Sequence, residues 1–137
     1  MVIFLLIVTT LLWGITPIIE KVGLRKIDPL IGVTIRSTIV TAGLFILTFL
    51  LGKGKSLMEV DGKSFLLFGA SGMMAGLLGM WTYYTALKME ATSKIVPIAA
   101  SYPLVTALLS FLILREGVTL PRVFGTALIV IGIWFVK

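Results

Sequence analysis

Five long stretches with almost no charge dominate this chain and leave very few folds open to it. They run from about residue 2 to 19, 30 to 51, 65 to 87, 95 to 114 and 121 to 136; Arg36 interrupts the second, and Arg122 stands at the start of the fifth. A hydrocarbon layer of roughly 30 Å is crossed by about 20 apolar helical residues, the length that four of these runs approach or exceed. The runs are continuous rather than alternating, which fits helices and not the strands of an outer-membrane barrel. The pattern predicts an all-α integral membrane protein, a five-helix transmembrane bundle occupying residues 1–137 as one domain.

Composition agrees. The 137 residues are 58% hydrophobic and 13% charged, with a mean hydropathy of +1.13, whereas a soluble domain carries about a quarter charged residues. With no Cys and no His there is no disulfide framework, thiol nucleophile, imidazole base or zinc site of the usual kind. No metal site and no cofactor is expected. None of the six carboxylates lies within a predicted span, so no paired acid and base is in place and an enzyme is not expected.

The net charge of +6 comes from cations scattered singly or in twos and threes between the apolar runs. That is the distribution of charges flanking a bilayer, not of a patch for nucleic acid. The first run has no Lys or Arg ahead of it and no small-residue cleavage pattern after it, so it reads as a retained span rather than a signal peptide. Turn chemistry marks the connections: Asp28-Pro29 before the second run, Gly52-Lys53-Gly54-Lys55 after it, Asp61-Gly62 before the third. Thr119, Pro121 and a snorkelling Arg122 open the fifth.

Charge gives no clear orientation. With the N-terminus inside, the inner loops hold Lys53, Lys55, Lys63, Arg115 and Arg122, and the outer side holds Lys21, Arg25, Lys26, Lys88, Lys94 and Lys137. Since Lys/Arg asymmetry normally sets topology, this near tie allows insertion both ways. An odd number of spans in both orientations is what an inverted-repeat transporter needs from its halves. The expected assembly is an antiparallel homodimer, or a heterodimer with a paralogue, in the plasma (inner cell) membrane.

Several residues within the runs are candidates for function. Arg36 stands roughly 9 Å into its span at 1.5 Å per residue, and a charge at such depth marks a functional site or a structural pair, here with Glu20 or Glu116. Trp13, Trp81, Tyr84 and Tyr102 offer flat faces to a solute, or anchor helices at the interface; Lys88, one turn past Tyr84, adds positive charge at a cavity mouth or simply flanks the span. Pro17, Pro97 and Pro103 free the carbonyls of Trp13, Ser93 and Ala99 and are hinge or kink positions. Gly72, Gly76 and Gly79, with Gly69, line one face of the third run, and Gly125 and Gly132 one face of the fifth, as close-packing surfaces within the subunit or at a dimer seam.

The order of these residues resembles a known family. Leu12-Trp13-Gly14-Ile15-Thr16-Pro17-Ile18-Ile19-Glu20-Lys21 looks like the opening Trp-Gly and trailing Lys of EamA domains in the drug/metabolite transporter superfamily. Arg36, then Tyr84, Ala86, Leu87 and Lys88, then Pro97, Tyr102, Pro103 and Leu114-Arg115-Glu116 resemble the rest of the pattern, and Gly125 through Gly132 its closing motif. The resemblance implies a five-span unit, usually present twice in a ten-span exporter with inverted halves. It is also similar to small multidrug resistance proteins, but their acidic residue within the first span is not matched, because Glu20 falls at the predicted end of that span. The expected function is a transporter half that moves a small organic metabolite or drug-like solute by alternating access, with Glu20 a candidate for ion coupling. The competing reading is a non-transporting accessory subunit of a membrane complex.

Overall fold

The computed structural model describes residues 1–115, 117 and 119–136, with only the backbone of Arg122. Three readings therefore fall outside the described residues: Glu116 as a partner of Arg36, the snorkelling of Arg122, and the flanking charge of Lys137. Helices account for nearly all of the described residues, and no strand occurs among them. The chain divides into two units, Met1–Met89 and Glu90–Lys137.

The first unit opens with α1, Val2–Gly23. Its threonines do not leave hydroxyls unsatisfied in an apolar surrounding: Thr9, Thr10 and Thr16 donate to the carbonyls of Leu5, Leu6 and Leu12 at 2.9, 2.8 and 2.7 Å. The helix runs past the predicted boundary at residue 19, so Glu20 lies inside it rather than at its end. Helix α2, Pro29–Leu50, starts as the sequence suggests, with Pro29 in the first turn and the Asp28 carboxylate accepting from the Leu30 amide at 2.8 Å. It stops at Gly52, whose φ of +68° is the left-handed conformation that a glycine adopts at low cost. The amides of Gly52 and Lys53 there close on the carbonyls of Phe49 and Thr48.

After the short α3, Gly54–Met58, the third apolar run begins earlier than predicted. Asp61 caps α4, Gly62–Ser71, by accepting from the Ser64 amide at 3.0 Å. The glycine-rich stretch that follows, Gly72–Gly79, is wound as a π-helix before α5, Met80–Met89. A π-turn holds one more residue than an α-turn and is usually confined to short bulges, frequently at functional sites. A Cβ on Gly79 would stand 3.0 Å from the Met74 carbonyl oxygen.

In the second unit the fourth run is broken. Helix α6, Thr92–Ala99, contains Pro97, and α7, Tyr102–Leu114, starts after a turn at Ala100–Ser101. Pro103 lies in the first turn of α7, where no amide donor is needed, so it marks the break rather than a kink within one helix. Helix α8, Leu120–Val136, packs against α6.

Four segments are long and apolar enough to cross a membrane: Val2–Gly23, Pro29–Leu50, Gly62–Met89 and Thr92–Leu114. The fifth is shorter. Its 17 residues reach about 25 Å at 1.5 Å per residue, against a hydrocarbon thickness of roughly 30 Å. Most large apolar side chains point outward, Phe4, Leu11, Ile39, Phe68 and Phe124 among them. In water such a surface would drive aggregation; in lipid it is the solvated face. The buried apolar core is correspondingly small and consists of Leu24, Val33, Tyr84 and Leu87 among the described residues.

Candidate functional site

That small core gathers one end each of α1, α2 and α5, and a charged cluster is built on it. Along α1, Pro17, Glu20, Lys21 and Leu24 share a face by helical spacing, and Pro17 and Leu24 are buried. On α2 the matching face carries Pro29, Gly32, Val33 and Arg36. Gly32 decides how closely the helices meet. A Cβ there would stand 3.2 Å from Tyr84 Cδ2 and 3.3 Å from Leu24 Cδ2, so the missing side chain makes room for the Tyr84 ring against α2.

With its ring seated, Tyr84 donates its hydroxyl to Glu20 Oε1 at 2.7 Å. Arg36, one turn beyond Gly32, brings its Nε to 3.6 Å from the same oxygen. The carboxylate side chain is only 9% exposed, whereas that of Arg36 is 42% exposed. A carboxylate so enclosed needs compensating partners, and here it has a cation and a hydroxyl from two other helices. Glu20 lies about 4.5 Å inside the end of α1 and Arg36 about 10 Å inside the start of α2, counted at 1.5 Å per residue.

Two lysines brace the cluster. Lys21 Nζ donates to the Leu87 carbonyl at 2.5 Å and to the Lys88 carbonyl at 3.3 Å, at the end of α5 where helix carbonyls lack intrahelical donors. Lys88 Nζ donates to the Ile27 carbonyl at 2.7 Å, in the loop between α1 and α2. Each lysine thus holds the other's segment.

The structure brings together Glu20, Arg36, Tyr84 and, beside them, Lys88. Within the first unit it leaves Trp13 and Trp81 outside that cluster. Trp13, two turns before Glu20, is 66% exposed and Trp81, one turn before Tyr84, is 42% exposed. The aromatic neighbour of Tyr84 is Tyr83, with ring centroids 6.2 Å apart. Tyr102 stands in the second unit at the start of α7, where its carbonyl accepts from the Thr106 hydroxyl. Among the described residues, nothing beyond the adjoining backbone lies within 4 Å of where a Cβ would stand on Gly14, Gly72, Gly76, Gly125 or Gly132, so no close helix approach is seen at these glycines.

One feature has no counterpart among the predicted sites. Between α2 and the π-helix lies an open groove of about 730 Å³, lined by Thr34, Ser37, Thr38 and Thr41 on one side and Gly72 and Gly76 on the other. Thr34 and Thr38 return their hydroxyls to the Leu30 and Thr34 carbonyls, both at 2.9 Å. The signal was present as a hydroxyl stripe at positions i, i+3, i+4 and i+7, but a π-turn cannot be read from spacing.

The EamA-like transporter family matches over residues 1–137. An uncharacterized protein of Methanocaldococcus jannaschii, MJ1333.1, is 33% identical over 91 residues, 66% of each chain. The uncharacterized transporter YoaV of Bacillus subtilis is 26% identical over 131 residues, 96% of this chain and 44% of YoaV. An uncharacterized transporter in the cobO 3'region of Sinorhizobium sp is 24% identical over 119 residues, 87% of this chain and 84% of that one. The chain thus spans less than two thirds of the length of the first two. No solved structure matches it significantly.

Proposed function

The chain belongs to the EamA-like transporter family and is a multi-pass membrane protein; from that premise we propose that it is a membrane transporter, one half of a carrier for a small amphipathic organic solute bearing an anionic group. The observation that carries this reading is the ion pair of Glu20 and Arg36 inside helices of membrane length, with the arginine half exposed. Charge is costly within a membrane and is retained where a solute or ion passes.

In this reading Arg36 attracts the anionic group, Lys88 adds positive potential nearby, and Glu20 is the candidate for ion coupling. Trp13 and Trp81 supply aromatic faces on the first unit and Tyr102 on the second. The glycines Gly14, Gly72, Gly76 and Gly79 and the prolines Pro17, Pro97 and Pro103 are positions where helices bend or slide. Helix α8 completes a fifth span by local thinning of the bilayer, a modest cost per ångström of mismatch. The halves pair in opposite orientations in the plasma membrane, as a homodimer or with a paralogue through the Gly125 and Gly132 face, and alternate access by rocking against each other.

Reconstitution of the purified chain in liposomes tests this. A thermal-shift screen of metabolites first identifies a ligand, since binding to the folded state raises apparent stability. Uptake of that ligand, abolished by Arg36→Gln, is the expected result. Absence of uptake with a correctly folded chain leaves the accessory-subunit reading. Tags on both termini, probed from each side, should be reachable from both; a single orientation in every molecule counts against the antiparallel pair.

A further inference from the structure

A guanidinium has five N–H donors, and Arg36 directs its Nε at Glu20 while its side chain remains 42% exposed. Hydrocarbon offers those remaining donors nothing, so they face water, a headgroup or another acceptor. Glu20 is placed differently. Its Oε1 holds both the Tyr84 hydroxyl and Arg36 Nε, its side chain is nearly enclosed, and Arg36 is the cation whose pairing with it offsets its charge. An anion that draws Arg36 away leaves Glu20, among the described residues, with the Tyr84 hydroxyl, in surroundings where an uncompensated carboxylate is strongly disfavoured.

Resting on the transporter reading above, we infer that Arg36 takes one carboxylate at a time, that of Glu20 or that of a solute, so that a carboxylate solute and a proton on Glu20 bind together. The proton comes from water and goes to the Glu20 carboxylate; the solute carboxylate takes the vacated guanidinium; no covalent bond is made or broken. The other groups facing Glu20 do not substitute for the arginine. From α5 these are Tyr84, whose hydroxyl is already donated, and Tyr83 beside it. Lys88 is committed to the Ile27 carbonyl, and Lys21, next in the chain, to the Leu87 and Lys88 carbonyls. By reciprocity, the anion and the proton each raise the affinity for the other.

The test uses the full chain in nanodiscs of neutral phosphatidylcholine, with benzoate as the probe and benzamide as its uncharged control. Binding is followed by calorimetry, and proton uptake by a pH indicator in weak buffer. Expected are binding of benzoate but not benzamide, uptake of close to one proton per benzoate, and about tenfold weaker binding per unit rise in pH once Glu20 is ionised in the free protein. Glu20→Gln should keep the cluster hydrogen-bonded, bind benzoate more tightly, and lose both the proton uptake and the pH dependence. Arg36→Gln should abolish binding. Should that variant fail to fold, Glu20→Gln alone decides.

Absence of benzoate binding, binding without proton uptake, or pH dependence that survives Glu20→Gln overturns the exchange. The two proposals fail separately. Proton-linked benzoate binding without transport in liposomes removes only the carrier, and transport without proton-linked binding removes only the exchange.

Discussion

The Tyr84 hydroxyl lies 2.7 Å from Glu20 Oε1 and joins residues 64 apart in the chain, a bond between two side chains that helps fasten α5 to α1. Side-chain hydrogen bonds between membrane helices average about 0.6 kcal/mol, and bonds to charged groups in soluble proteins about 1.5–3 kcal/mol. Tyr84→Phe keeps the ring against Gly32 and removes only the hydroxyl. We expect it to lower stability by about 1 kcal/mol, between those two values, measured by denaturant unfolding in detergent micelles with circular dichroism.

Gly32 should tolerate size poorly. A Cβ there meets Tyr84 and Leu24 at 3.2–3.3 Å, so Gly32→Leu forces the helices apart at an expected cost of about 1–3 kcal/mol, typical of overpacking. Gly32→Ala should cost less, because the Tyr84 ring can give by a few tenths of an ångström. Gly43→Ala, on the same helix with no neighbour within 4 Å, should be neutral or slightly stabilising. Midpoints of thermal unfolding for the three variants give the order directly.

Lysine bracing predicts a local effect rather than a global one. Lys88→Met removes the bond to the Ile27 carbonyl and should speed amide hydrogen exchange at Arg25–Lys26–Ile27–Asp28 while leaving the middle of α2 protected. Lys21→Met should instead loosen the last turn of α5, whose Leu87 and Lys88 carbonyls it holds. Equal exchange in both variants and the native chain would remove the bracing role.

Asp61 gives a pH dependence at the mouth of the third apolar run. Its hydrogen bonds with Ser64, and weaker ones with nearby backbone, hold the carboxyl below the usual carboxylate range. A group whose folded-state value is depressed stabilises fully above its unfolded value of about 4 and loses that contribution as pH falls through the folded value. Acidification below about pH 4 should therefore fray the first turn of α4 in the native chain. Asp61→Asn keeps a capping acceptor and should show a smaller acid response; Asp61→Ala should fray that turn at every pH. Amide exchange at Lys63 and Ser64 reports it.

Much of the protein was legible as sequence. The apolar runs, the Asp28-Pro29 start of α2, the Gly52 stop, and the Trp13 to Gly132 motif order all depend on local chemistry or on composition, and they led to a helical membrane protein of the EamA type. Boundaries were less legible. α1 continues through Glu20 to Gly23 because helix geometry tolerates charge near its end, whereas a window of uncharged residues stops at the first one.

The sequence by itself determined the solvent: so many consecutive apolar residues can be accommodated only by lipid, and lipid in turn demands helices that satisfy their own backbones. It could offer Glu20 and Glu116 as partners for Arg36, but it could not choose between them. Tertiary structure set Glu20 beside Arg36 and brought Tyr84 to the same oxygen. The reason is that this cluster depends on how closely α2 and α5 approach at Gly32, a distance between residues far apart in the chain that no local pattern encodes.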